Sequence, residues 1–155
     1  MEVDSFAGKF CKNTDIFDGK ITRIRDSFFL ADESLLEIKN KIKISPEAAG
    51  VFLGEAKKGV FYPSSALLDI ISRNSDKKIF VNKKTAWLFL CGRDIFGQGI
   101  VKANEKKTGE LVLVQNEADE NLGYGKIVLD LSNKDKMVIK NYFDKGNFIR
   151  REHRK

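Results

Sequence analysis

The chain carries one imidazole, His153, within the run Arg150-Arg151-Glu152-His153-Arg154-Lys155. A Ser/His/Asp or Cys/His device needs its imidazole held in a cleft by a third group. A histidine inside a basic tail does not meet that need. Cys11 and Cys91 lie far apart and form no ligand pair, so no zinc site of the usual nitrogen and sulfur composition can be assembled from this chain alone. No glycine-rich loop ends in Gly-Lys-Ser/Thr, and no dinucleotide fingerprint follows a strand. Gly97-Gln98-Gly99 and Gly123-Tyr124-Gly125 read as turns or barrel bends where a side chain would clash. Asp32-Glu33 and Asp119-Glu120 fall at helix starts and turns, where acids are ordinary. We therefore expect no enzyme, no metal and no cofactor.

The chemistry that remains is cationic. Residues 1–75 hold 11 basic and 11 acidic side chains, whereas residues 76–155 hold 17 basic and 11 acidic, so the whole net charge of +6 sits in the second half. Such asymmetry points to a polyanionic partner for one domain. Asn147–Glu152 reads as a terminal strand that continues into a cationic tail. Arginine forks bind phosphate bidentately and stack on unpaired bases. The candidate RNA contacts are Arg150, Arg151, Arg154 and Lys155, joined by Arg93 if the helix end before it meets that last strand. Most aromatic residues, including Phe52 and Trp87, sit in apolar runs and are assigned to the core. Tyr124 is the one candidate stacking platform.

The elements that position these groups follow from pattern. At 155 residues, 42% hydrophobic and 32% charged, the chain suits a globular protein of one medium or two small domains. No apolar run approaches the ~18–20 residues that span a bilayer, and Met1-Glu2-Val3-Asp4 lacks a secretory pattern. The cysteines read as reduced, partly buried thiols, a long-range disulfide being the alternative. The polar stretch Ser72–Lys78 marks the boundary between residues 1–75 and 76–155. In the first half, Lys20–Arg25 and Phe28–Ala31 read as a hairpin. A helix over Ser34–Ile44 follows, capped by Asp32 or Ser34, and Ser45-Pro46-Glu47 repeats a helix-start signal. Val51–Leu53 and Val60–Tyr62 read as strands, and Pro63-Ser64-Ser65 opens the helix Ala66–Ile71. In the second half come a strand (Lys78–Asn82), an apolar helix (Lys84–Cys91) stopped by Gly92, and strands at Gly99–Ala103, Glu110–Gln115, Leu122–Leu131, Lys136–Tyr142 and Asn147–Glu152. One helix followed by closely spaced strands is the mark of a small β-barrel.

The runs Lys78-Ile79-Phe80-Val81-Asn82, Thr85–Gly92, Gly99-Ile100-Val101, Gly109–Val114 and Asn121-Leu122-Gly123-Tyr124-Gly125-Lys126 resemble a PUA domain. The last is similar to the "plGfG" stretch of that fold. Residues 52–71, FLGEAKKGVFYPSSALLDII, resemble the N-terminal domain of the Nip-seven family of large-ribosomal-subunit biogenesis factors. The resemblance implies an α+β chain, with a small N-terminal α/β domain followed by a PUA-type β pseudobarrel with a short helix. It implies a monomeric, non-enzymatic factor that binds pre-rRNA, single-stranded or irregular, through the PUA domain, and other ribosome assembly factors through the N-terminal domain. An accessory subunit of an RNA-modifying enzyme is the alternative. A short N-terminus, a compressed loop at residues 46–51 and a shortened loop after Gly92 depart from the eukaryotic pattern. These departures favour an archaeal, cytoplasmic protein (nucleolar if eukaryotic) without membrane attachment.

Overall fold

The computed structural model describes residues 1–42 and 46–152. The chain divides into two compact units, Met1–Asn74 and Ser75–Lys155.

In the first unit, β1 (Lys20–Ile24), β2 (Ser27–Ala31), β3 (Val51–Lys57) and β4 (Val60–Pro63) form an antiparallel sheet in that order. Helix α3 (Ser65–Arg73) starts at Ser64, whose hydroxyl oxygen accepts the Leu67 N–H at 3.1 Å and donates to the Phe52 carbonyl at 2.7 Å. One residue thus caps the helix and ties it to β3. Leu67, Leu68 and Ile71 line the buried face of α3, and Phe28 and Leu53 of the sheet are equally buried. A short helix, α1 (Glu2–Ala7), adds Phe6, whose ring lies 5.4 Å from Phe10 and 5.5 Å from Phe61. At six residues it is too short to show a period in the sequence.

Helix α2 (Glu33–Lys41) is capped by Asp32, which accepts the Leu35 N–H at 2.8 Å. It stops short of the expected Ile44, which lies outside the described residues. None of its residues is buried, and Leu35, Ile38 and Ile42 form an exposed apolar stripe at helical spacing. The start signal at Ser45-Pro46-Glu47 is not followed by a helix. Ser45 lies outside the described residues, and the chain from Pro46 reaches Gly50, at φ 89°, without a helical turn. Phe52, expected in the core, rests on Phe29 at 5.6 Å and leaves the rest of its ring exposed.

The second unit is a six-stranded curled sheet in the order β6-β10-β9-β8-β5-β7. Its strands are β5 (Lys78–Val81), β6 (Ile95–Phe96), β7 (Ile100–Ala103), β8 (Leu111–Gln115), β9 (Asn121–Ile127) and β10 (Met137–Asp144). β5 and β8 run parallel and the other neighbours antiparallel. Because β6 and β7 remain separate ends, the curl is a half-barrel. Its concave side is filled by Ile79, Val81, Val112, Val114, Ile127, Val138 and Ile139, with Phe89 and Ile95. The α+β class expected from the sequence holds.

Three expectations in this unit need correction. β9 ends at Ile127 and not at Leu131. The two-residue strand β6 carried no periodic signal. Most importantly, the terminal strand expected over Asn147–Glu152 is a helix, α5 (Gly146–Glu152). β10 is paired by β9 from Ile139 to Asp144 and by β6 only at Met137 and Ile139, and Gly146–Glu152 turns away as a helix whose Arg150 is held by Asp144 and the Leu90 carbonyl.

Gly123 holds φ +147° in β9, and a Cβ there would enter the Phe143 carbonyl of β10. Gly123→Ala is expected to lower unfolding free energy by about 3 kcal/mol through strain and lost pairing, measurable by chemical denaturation. A second expectation concerns acid. The hydrogen bond from Gln115 and the Lys78 ammonium at 3.0 Å hold the Asp119 carboxyl below its usual range, and Lys77 at 2.8 Å does the same for Glu110. Lowered folded values stabilise the protein above the unfolded carboxyl range near ~4, and that stabilisation disappears as pH falls through the folded values. D119N/E110Q should therefore lose less thermal stability than wild type on acidification below about pH 4.

Candidate nucleic-acid interface

Helix α4 (Lys83–Leu90) is fixed at both ends by its own sequence. The Asn82 side chain accepts the Thr85 N–H at 2.9 Å. At the other end Gly92, at φ +89°, donates to the Phe89 carbonyl at 2.9 Å and Arg93 donates to Leu88 at 3.0 Å. That pair of bonds is the Schellman stop anticipated at Gly92. Ala86 and Phe89, three residues apart, enter the core. The opposite face exposes Lys83, Lys84 and Trp87.

Trp87 corrects the sequence reading, which placed it in the core. It is 66% exposed. A signal for this was present, because a helix that buries Ala86 and Phe89 turns Trp87 away from both. Lys83 and Lys84 occupy the first turn, the positive end of the helix dipole, with no acid in that turn. This placement costs some helix stability and concentrates positive charge there.

Helix α5 is fastened to the end of α4. Arg150 Nη1 donates to the Leu90 carbonyl and to Asp144 Oδ1 at 2.9 Å, and Nη2 donates to Asp144 Oδ2 at 3.0 Å. Asp144 is 5% exposed. Its hydrogen bond raises the already high basicity of the guanidinium. Asn141 donates to the Phe89 carbonyl at 3.0 Å and to Arg93 at 3.3 Å. The end carbonyls of α4 are thus closed from β10 and α5. Gly146 sits against the Leu90 carbonyl so closely that no Cβ fits.

Grooves flank α4 on two sides. One, of about 350 Å³, is lined by Asn82, Lys84, Thr85, Leu88, Phe96 and Gln98 among others. The other, of about 510 Å³, is largely apolar and runs between Trp87, Leu90 and Cys91 of α4 and Lys145, Ile149 and Arg150 at α5. Phe148 and Ile149 are exposed on α5. Cys91 is exposed and Cys11 buried, both as free thiols, and burial raises the Cys11 pKa.

The sequence-chosen residues have different placements. Arg150 and Arg93 lie at the junction of α4 and α5, but the Arg150 fork is occupied by Asp144 and Leu90 and acts as an internal clamp. Arg93 is exposed. Arg151 belongs to α5, while His153, Arg154 and Lys155 lie outside the described residues. Tyr124 is packed in a row of rings, 6.2 Å from Phe143 in a stacked pair and 6.3 Å from Tyr142, and burial raises its phenol pKa. Both faces of so enclosed a ring cannot serve an added base. Among the described residues no group of three or more His, Cys, Asp or Glu side chains is placed to hold a metal. No helix among them is long and apolar enough to cross a membrane.

Residues 77–153 match the family model described as UPF0113 PUA domain. A UPF0113 protein of Archaeoglobus fulgidus is 32% identical over 115 residues, which cover 71% of this chain and 66% of that protein, just under two thirds of the relative's length. Two solved structures share the fold. A conserved PUA domain protein from Thermoplasma acidophilum aligns at 18% identity and a TM-score of 0.54, over 85% of this chain and 79% of its own. A hypothetical protein from the hyperthermophilic archaeon Pyrococcus horikoshii aligns at 16% identity and a TM-score of 0.55, over 92% and 87%.

Arg150→Ala strands the buried Asp144 carboxylate and the Leu90 carbonyl. It should destabilise the second unit by about 2 kcal/mol, the low end for a broken buried pair because Arg150 itself is 38% exposed. Hydrogen exchange should show early release of amides in α5. Unchanged exchange there would mean that α5 docks without the clamp.

Proposed function

Residues 77–153 match the UPF0113 PUA domain model, and from that match we propose that the protein is a non-enzymatic RNA-binding factor for large ribosomal subunit biogenesis and pre-rRNA processing. The single observation that carries the RNA-binding part is the outer face of α4. It offers two exposed lysines and an exposed indole one helical turn apart, between two grooves. PUA domains as a class bind RNA, and this face has what single-stranded or irregular RNA requires: ammonium groups for phosphates and a flat ring for an unstacked base. In this reading Lys83 and Lys84 hold the backbone, and Trp87 stacks a base against the apolar groove. Arg93, Arg151, Arg154 and Lys155 extend the cationic surface, and Arg150 holds α5 in place.

The assembly role rests on the resemblance of residues 52–71 to the N-terminal domain of Nip-seven-type factors. Contacts with other assembly factors then fall to the first unit, where α2 exposes Leu35, Ile38 and Ile42. The protein would act as a cytoplasmic monomer in an archaeal setting, consistent with its archaeal relative.

Fluorescence anisotropy with an unstructured RNA oligonucleotide tests the site. Trp87→Ala should weaken binding about ten-fold to hundred-fold, the range for loss of one stacked base. K83Q/K84Q should reduce the salt slope of log K by about 1.4, two single-strand phosphate contacts. Wild-type affinity and slope in these variants, once circular dichroism shows them folded, would remove α4 from the interface.

A further inference from the structure

A second cationic groove lies away from the α4 face, along β7. It has a volume of about 360 Å³ and is lined by Val101, Lys102, Lys106, Leu131, Ser132 and Lys134 among others. The three lysines are exposed, and none forms an ion pair among the described residues. Lys102 lies 5.2 Å from the centre of the Phe80 ring, and its charge also reaches Asp119 at longer range.

Among the described residues the nearby acids form no ion pair with these lysines, and the single charge of Asp130 offsets only one of the three. Asp130, the one acid lining the groove, accepts the Ser132 N–H at 2.8 Å. Glu105 is turned onto its own backbone, accepting the Lys106 and Lys107 N–H groups at 2.8 and 2.9 Å. Three ammonium groups brought to one groove repel one another and gain from an anion between them. No aromatic side chain lines this groove, so it offers nothing on which a base can stack.

The groove adjoins the α4 face along the chain. Gln98 and Gly99 line the polar flank of α4, and the next residues, Ile100–Ala103, line the lysine groove. The Gln98 N–H donates to the Lys134 carbonyl at 2.9 Å, which joins the two rims. From Ile100 to Ala103 the extended chain covers about 10 Å.

We infer that Lys102, Lys106 and Lys134 form a phosphate track that continues the RNA path from α4 along β7, gripping the sugar–phosphate backbone without reading bases. The inference rests on the RNA-binding reading above and adds a second contact surface to it. The partner is polyanionic backbone and not an acidic peptide, because the groove extends a face already equipped for stacking.

The test compares K102Q/K106Q/K134Q, K102R/K106R/K134R and the charge-matched control K12Q/K41Q/K58Q from the first unit. Each is titrated with a twenty-nucleotide unstructured RNA, of mixed or uniform base composition, across a salt series. The Gln groove variant should lose affinity about ten-fold to hundred-fold at low salt, with a salt slope smaller by about 2, equally for every base composition. The Arg variant and the first-unit control should keep the wild-type slope. A wild-type slope in the folded Gln groove variant, while Trp87→Ala still weakens binding, overturns the track and leaves the α4 interface standing. An equal loss in the first-unit control overturns it too, as an effect of net charge alone. A Gln groove variant that loses binding to a poly-glutamate peptide but not to RNA assigns the groove to acidic protein and also overturns it. Absence of RNA binding by wild type at low salt overturns the α4 reading and the track together.

Discussion

The buried Asp144 carboxylate governs the geometry of the second unit. A charge so enclosed is tolerated only when paired and hydrogen-bonded, and Arg150 supplies both through its two-pronged fork. The same guanidinium reaches the last carbonyl of α4, so a single cation satisfies the end of β10 and the end of the helix. Asn141 closes the neighbouring carbonyls of Phe89 and Arg93. Three parts of the structure, α4, β10 and α5, therefore meet at one polar knot, and Gly146 supplies the clearance that lets them approach.

What this knot holds in place is a helix with two unlike faces. Ala86 and Phe89 anchor α4 in the half-barrel, so its outward face cannot rotate. Lysines at the wrong end of the helix dipole and an exposed indole both work against the isolated fold. Residues that cost stability where they stand, gathered on one rigid face, are the physical mark of a surface kept for binding. In the proposed RNA-binding reading, charge and stacking divide the labour there. Ammonium groups hold any phosphate backbone, while an aromatic plane needs an unpaired base.

Local chemistry was legible wherever neighbours along the chain decided the outcome. Ser64 opening α3, Asp32 capping α2 and Gly92 ending α4 each depend on bonds within a few residues. The hydrophobic strands of the half-barrel were visible for the same reason, since each carries its own apolar side chains. The short α1 and the two-residue β6 were invisible because neither repeats its period. Trp87 was lost by averaging it into an apolar run, although the spacing of Ala86 and Phe89 already turned it outward.

The sequence by itself determined the α+β class, the confinement of excess charge to residues 76–155, and the caps and stops of the main helices. All of these follow from composition and local bonding. Only the tertiary structure decided that residues 146–152 coil into a helix, that Arg150 spends its fork on Asp144, and that Trp87 faces outward beside α5. Each depends on which partners lie in reach, and the carbonyls that Asn141 and Arg150 meet on α4 are some fifty to sixty positions away.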